Sequence, residues 1–230
     1  MQLKKSALRV KGMIIVFEGV SGCGKSENVE VLRRYFTSKG YKTVVIEWNS
    51  NQAVRKIINI MSSKNILTPN IYSLFQWISF LLDYFFKIIP LLKKNYVLIA
   101  DRYIYTGLTR DRVNGAGGAL GRFLHRIVIK PSLVFFLDVN PEVCDERIKK
   151  RGKILFHTNK RIKESKLLKN KDLYYLNKLR REYLLLFNTR QMQDETVVIT
   201  IKEDSDPVVK FVQDYISGRR EMCEYLKAFD

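Results

Sequence analysis

The chain has 230 residues, 46% of them hydrophobic and 12% aromatic, enough for one large domain with a sizeable core. A formal net charge of +18 favours anionic partners (nucleotides, nucleic acid or a membrane surface) without choosing among them. Cys23, Cys144 and Cys223 are odd in number and far apart, and no CxxC pair or Cys/His cluster occurs. A disulfide framework and a structural zinc site therefore have no support, and a reduced, cytoplasmic setting is expected.

The first ten residues, Met1 to Val10, are polar and basic with no apolar core, so they do not read as a secretory signal. Residues 13–18, MIIVFE, form a continuous apolar strand. Gly19-Val20-Ser21-Gly22-Cys23-Gly24-Lys25-Ser26 follows at once and matches G-x-x-x-x-G-K-[ST] in full. Its glycines let the backbone turn its N–H groups toward phosphate oxygens, and the helix that follows adds partial positive charge. Lys25 has the reach for β- and γ-phosphates, and the Ser26 hydroxyl suits Mg²⁺. All eight residues are candidate ATP contacts, with Cys23 a small filler. The motif indicates a nucleoside triphosphate held by its phosphates; alone it does not separate kinase, GTPase and ATPase.

A helix is predicted over 26–38, ending before Gly40, then a strand over 43–47 and a helix over 51–63. The stretch 71–92 is the most apolar in the chain, but Gln76, Asp83, Lys87 and Pro90 interrupt it. The clean run is shorter than the roughly 18 residues that a bilayer span needs. It reads as a buried helix over 69–94, apolar all round and so covered on both sides, with a second subunit as one cover. No membrane contact is expected.

Strands over 96–100, 133–139 and 196–201 alternate with helices over 118–129, 141–151, 172–191 and 207–229. Asp206 is the N-cap and Pro207 the first residue of the last helix. This alternation, with continuous apolar strands, predicts an α/β doubly wound parallel sheet. Residues 152–171 are rich in lysine and arginine and poor in periodicity, which fits either a mobile lid or a solvated basic segment. His125 and His157 have no partner at metal or catalytic spacing.

Asp101-Arg102-Tyr103 lies at the end of the third strand, on the side of such a sheet where ligands bind. An aspartate there can hold Mg²⁺ or its waters, and an arginine can grip an acceptor phosphate with its fork.

With these residues on view, the chain resembles the thymidylate kinase family. Phe17-Glu18-Gly19 is similar to the family's opening strand. Asp101-Arg102-Tyr103 with Thr106-Gly107 resembles its DR(Y/H) motif, and 130–142, with Pro131, Asp138 and Pro141-Glu142, resembles its fourth strand and Pro-Glu helix start. The resemblance is collinear from about 13 to 187. It implies one P-loop kinase domain over 1–230, built on a five-stranded parallel sheet ringed by helices, with a lid at about 150–171. It also implies ATP and Mg²⁺, phosphoryl transfer to a nucleoside monophosphate, and a homodimer. The implied site has Lys25 and Ser26 at the donor, with Ser26 and Asp101 at the metal. Arg102 sits on the acceptor phosphate, with Tyr103 and Thr106 beside it. Phe75 stacks on the base. Arg147, Arg151 and Arg161 are the lid arginines, with Arg151 the catalytic candidate.

Four features depart from the family pattern. Ser21 stands where the family has Asp, and Glu47-Trp48-Asn49-Ser50 where it has Arg-Glu-Pro. Gln76 replaces an arginine that reads the thymine carbonyl, and Thr109-Arg110-Asp111 replaces Ala-Tyr-Gln. Arg55 is a substitute source of the missing acceptor arginine. Glu47-Trp48 also resembles deoxynucleoside kinases, where a glutamate after strand two removes a proton from a sugar hydroxyl. A kinase for a hydroxyl acceptor is therefore a second reading. A third is a basic nucleotide- or nucleic-acid-binding protein that has lost phosphoryl transfer, although no RRM, KH or helix-turn-helix signature appears.

Overall fold

Alternate side chains of each inner strand enter different cores, which is why these strands are apolar throughout. In β1 (Met13–Glu18), Met13, Ile15 and Phe17 face one core while Ile14 and Val16 face the other. β3 (Val97–Asp101) and β4 (Leu133–Leu137) divide in the same way. With β2 (Thr43–Glu47) and β5 (Val197–Ile201) they form one all-parallel sheet in the order β2-β3-β1-β4-β5. The expected architecture is therefore present. The computed structural model describes residues 12–153, 155–202 and 208–227, those from 219 on by backbone alone. The readings of Met1 to Val10 and of Asp206 and Pro207, and the side chain of Cys223, lie outside the described residues.

Helix starts follow local capping chemistry. Asn51 accepts from Ala53 N and Val54 N at the start of α2 (Gln52–Ser63). Thr68 caps α3 (Pro69–Asp83) ahead of Pro69, and Asn140 caps α7 (Pro141–Lys150) ahead of Pro141. α1 (Lys25–Ser38) instead starts from Gly24 at φ 92° with no side-chain cap.

The long apolar helix is not regular to its end. α3 passes into a π-helical segment, Tyr84–Ile88, before α4 (Ile89–Lys93). Pro90 is the reason: its ring crowds the carbonyl four residues back and it has no N–H to donate. Ile89 N–H reaches Tyr84 O, five residues back, and the widened turn absorbs the proline. The stretch Pro69–Lys93 is long and apolar enough to cross a bilayer by length and composition. Among the described residues only one of its faces is covered. Trp77, Phe80, Tyr84 and Ile88 join the core, while Leu74, Ile78, Leu82 and Phe86 are exposed, Phe86 by 76%.

Two helices were not foreseen, α5 (Ile104–Asn114) after the third strand and α8 (Lys160–Glu164) inside the basic segment. α6 (Ala119–Ile127) and α11 (Val208–Lys227) match expectation within the described residues. The helix predicted over 172–191 is α9 (Lys171–Phe187) followed by α10 (Arg190–Glu195), because Thr189 turns to cap a new helix at Met192 N.

Trp77 is the keystone between α3, α5 and α6. Its ring is fully buried, and its Nε1 donates to Asp111 Oδ2 at 2.8 Å. A Cβ at Gly107 would lie 2.5 Å from the Trp77 ring and 2.9 Å from Trp48. Gly107→Ala should therefore cost about 1–3 kcal/mol by overpacking. A lower urea midpoint at unchanged m-value reports it. An unchanged midpoint would show that the indoles yield without cost.

Candidate active site

The parallel register sets the site. Phe17 pairs with Asp101, so the carboxyl ends of β1 and β3 stop side by side. Beyond β1 the loop Gly19–Gly24 turns back into α1. Gly22 adopts φ 86°, and a Cβ there would lie 2.5 Å from Cys144 O, so only glycine lets the loop pass under α7. Beyond β3 stand Asp101 and Arg102. The Ser26 hydroxyl donates to Asp101 Oδ2 at 3.0 Å, joining the two strand ends across 75 residues. Arg102 Nη1 donates to Gly19 O at 2.8 Å, and its Nη2 lies 3.5 Å from Ser21 Oγ.

Arg102 adopts φ 76°, a left-handed conformation that is costly for a side chain of this size and typical of functional turns. The turn is held by a hub that sequence reasoning did not assign. Glu18 is fully buried and accepts from Tyr103 N (2.8 Å), Thr106 N (3.2 Å), Thr106 Oγ1 (2.6 Å) and Tyr183 OH (2.9 Å). α5 has no side-chain cap of its own, so this carboxylate caps it from another strand. Burial pushes the Glu18 carboxyl above its ordinary range, and the neighbouring Arg102 pulls it part of the way back.

Lys25 is also buried. Its ammonium donates to Val20 O at 2.7 Å and Gly19 O at 3.3 Å, and lies 3.3 Å from Cys23 Sγ. Burial lowers its pKa, and Arg102 adds to the effect. The loop and α1 thus present backbone N–H groups and a desolvated cation on one side, with a carboxylate and a guanidinium on the other. That arrangement suits the transfer of an anionic group between two anionic ligands.

Comparison with known proteins places this geometry. Residues 17–212 match the family model described as thymidylate kinase. The chain belongs to the thymidylate kinase family. Family membership carries the activity with it: ATP-dependent phosphoryl transfer to a nucleoside monophosphate. A probable thymidylate kinase 2 of Saccharolobus solfataricus is 36% identical over 141 residues, which are 61% of this chain and 66% of the relative. A probable thymidylate kinase of Archaeoglobus fulgidus is 28% identical over 90% of this chain and 98% of the relative. The thymidylate kinase of Caldanaerobacter subterraneus is 26% identical over 92% and 100%.

The remaining candidates fall into two groups. Tyr103 is buried, with its hydroxyl on Ile129 O and its ring against Phe80, while Thr106 is enclosed by Glu18, Arg102 and Tyr183. Arg151 is exposed, 3.6 Å from Glu27 in the first turn of α1, and Arg147 reaches Gly22 O at 3.5 Å. Arg161 lies exposed on α8. The segment that carries Arg151 and Arg161 is docked over its middle. His157, Thr158 and Asn159 are buried; His157 stacks on Tyr175 at 4.3 Å, and Asn159 bonds Val113 O. Burial lowers the His157 pKa to about 4, so the ring is neutral near pH 7.

Beside Arg102 two cavities, of about 350 and 370 Å³, share Trp48, Asn49 and Arg102 in their walls. The first runs along the edge strand β2 past Glu47, which is exposed. The second is lined by Tyr72, Arg110, Arg55 and Phe156. Phe75 lines neither cavity; it packs instead with Val54, Ile58 and Tyr72 between α2 and α3. Tyr72, one turn earlier on α3, supplies the aromatic wall. Arg110 was visible in the sequence only as part of a departure from the family pattern. Placed on α5, it becomes a cation facing Arg102 and Arg55 across the second cavity.

Proposed function

We propose that the acceptor is dTMP and that the β1 and β3 strand ends hold the two substrates on either side of the transferred phosphoryl group. The single observation that carries this reading is the Ser26–Asp101 contact of 3.0 Å with Arg102 anchored on Gly19 O beside it. The P-loop N–H groups bind the ATP phosphates. Lys25 exchanges its loop carbonyls for phosphate oxygens and offsets their charge. Arg102 grips the acceptor phosphate, with Arg55 and Arg110 as the further cations of the second cavity. Tyr103 and Thr106 position Arg102 through the Glu18 hub, and Tyr72 takes the stacking role expected of Phe75.

Ser26 and Asp101 would hold Mg²⁺. Their paired hydroxyl and carboxylate are the hard oxygen donors that this ion prefers, and no larger acidic cluster occurs among the described residues. When bound, the ion offsets charge on the phosphoryl oxygens. The protein's own share is positioning and charge complementarity in a site closed to water. We assign the segment at about 150–171 as the lid of a single domain, with Arg147, Arg151 and Arg161 available to close over the phosphates.

The exposed apolar stripe of Leu74, Ile78 and Leu82, with Phe85 and Phe86 on the next turns, is the face on which we place a homodimer contact. Sedimentation should give twice the chain mass, and Ile78→Glu should give one chain; a monomeric wild type would remove the dimer. Cys23 and Cys144 are buried thiols, and we place the protein in the cytoplasm.

A panel of nucleosides and nucleoside monophosphates, read by ADP release, tests the function. The expected result is turnover with dTMP and none with nucleosides. Turnover with nucleosides alone would transfer the role to Glu47 as a base for a hydroxyl acceptor, a reading that family membership does not favour.

A further inference from the structure

Arg102 is held by one nitrogen of its guanidinium and open at the other two. Nη1 donates to Gly19 O at 2.8 Å and has two further acceptors, Thr106 Oγ1 at 3.3 Å and Tyr183 OH at 3.4 Å. Nη2 reaches only Ser21 Oγ, at 3.5 Å, and Nε has no partner among the described residues. Nε and Nη2 form the edge of the fork that meets two oxygens at once, as Arg180 shows on the carboxylate of Asp138. Arg102 lines both cavities, so this edge is the one left for a ligand.

Two hydroxyls flank the held nitrogen, and the Glu18 carboxylate orients them. Thr106 Oγ1 donates to Glu18 Oε2 at 2.6 Å, Tyr183 OH donates to the same oxygen at 2.9 Å, and the two hydroxyls lie 2.9 Å apart. Each hydroxyl has one proton. With both protons given to Glu18, both oxygens present lone pairs to Nη1. Thr106 comes with the turn that carries Arg102, four residues on, whereas Tyr183 comes from α9, 81 residues on. The Tyr183 ring is fixed without its oxygen: it is 1% exposed and packs on Phe136 at 5.6 Å and Phe187 at 5.9 Å. Burial, with the Glu18 charge adding to it, pushes the hydroxyl above its ordinary pKa range, so it stays protonated. A phenylalanine would fill the same space and lack only the oxygen.

We propose that Tyr183 is a positioning residue for the acceptor phosphate: its hydroxyl steadies Nη1 of Arg102, so that Nε and Nη2 face the ligand as a pair. This rests on the reading of Arg102 as the grip on that phosphate. An arginine side chain held at one end only would sweep many orientations, and binding would then have to order it. Fixing the guanidinium beforehand removes that cost from binding. α9 is a firm support for the task. Tyr183 meets Thr106 in the first turn of α5, and Tyr175 on the same face of α9 donates to Asn114, the last residue of α5, at 3.3 Å. α9 is therefore braced against both ends of the helix that begins at the Arg102 turn.

The test is Tyr183→Phe in the full chain, alone and combined with Arg102→Lys, with thermal midpoints as the check on folding. Lysine keeps the charge beside Glu18 but has no paired nitrogens to aim. Tyr183→Phe should lower kcat/KM for dTMP by about 3- to 30-fold, the size of coupling between groups in contact, and leave the KM for ATP unchanged. On the Arg102→Lys background the same substitution should cause no further loss. An equal loss on both backgrounds, or a loss shared by dTMP and ATP, would make the hydroxyl a packing group and overturn the inference while the acceptor reading stands. Unchanged kcat/KM for dTMP in Tyr183→Phe would also overturn it. If Arg102→Lys alone keeps wild-type use of dTMP, the acceptor reading of Arg102 falls and this inference with it. Should Tyr183→Phe not fold, fluorotyrosine at position 183 keeps the oxygen but weakens it as an acceptor. It should lower dTMP use on the wild-type background only, and an equal loss on both backgrounds would again overturn the inference.

Discussion

Lys25→Ala should reduce kcat by about a thousandfold or more, a loss of about 4 kcal/mol in transition-state stabilisation. The ammonium is the cation that the P-loop itself supplies, and it stands in a buried setting where charge is poorly screened. The backbone N–H groups of the loop survive the substitution, so ATP should still bind, more weakly. Steady-state ADP release gives the rate, and titration with ATP separates binding from chemistry. A variant that keeps a tenth of wild-type turnover would remove Lys25 from the reaction.

Arg102→Ala has two separable effects. It deprives the acceptor phosphate of its fork, which should lower kcat/KM for the acceptor by about 30- to 5000-fold, from the roughly 2–5 kcal/mol that truncating a hydrogen-bonded charge costs. It also leaves the buried Glu18 carboxyl without the Arg102 charge that offsets part of its burial, so stability should fall as well. Adding Glu18→Gln removes the stranded charge, so the double variant should recover stability without recovering acceptor use. If both recover together, Arg102 acts through folding alone. If acceptor use is normal in the single variant, the phosphate is held elsewhere, with Arg55 and Arg110 the next residues to replace.

Much of the fold can be read from the sequence because the inner strands are buried on both faces, and unbroken apolar runs between helical periods are what such strands require. α5 was not legible. Its first turns, Ile104-Tyr105-Thr106-Gly107, are poor helix formers with no local cap, and the cap comes from Glu18 in a strand 85 residues earlier. The break at Tyr84–Ile88 needed the consequence of Pro90 to be followed back one turn. The phosphate-binding loop is one contiguous motif, so its residues are legible in the sequence itself. The cavities beside Arg102 are assembled from α2, α3, α5 and the basic segment, and which face of α3 meets them depends on tertiary packing. Phe75, the stacking candidate, packs with Val54, Ile58 and Tyr72, while Tyr72 lines the second cavity. The docking of the basic segment through His157 and Asn159 likewise depends on partners, Tyr175 and Val113, that sequence spacing does not bring together.

The claim that everything else rests on is that the β1 and β3 ends face one another across a single reaction centre. Calorimetric titration with a bisubstrate molecule, adenosine and thymidine joined by five phosphates, tests this most directly. Binding at one per chain, at least about a hundredfold tighter than ATP or dTMP alone and competitive with both, is the expected result. Binding no tighter than ATP alone, with dTMP still able to bind beside it, would contradict the account.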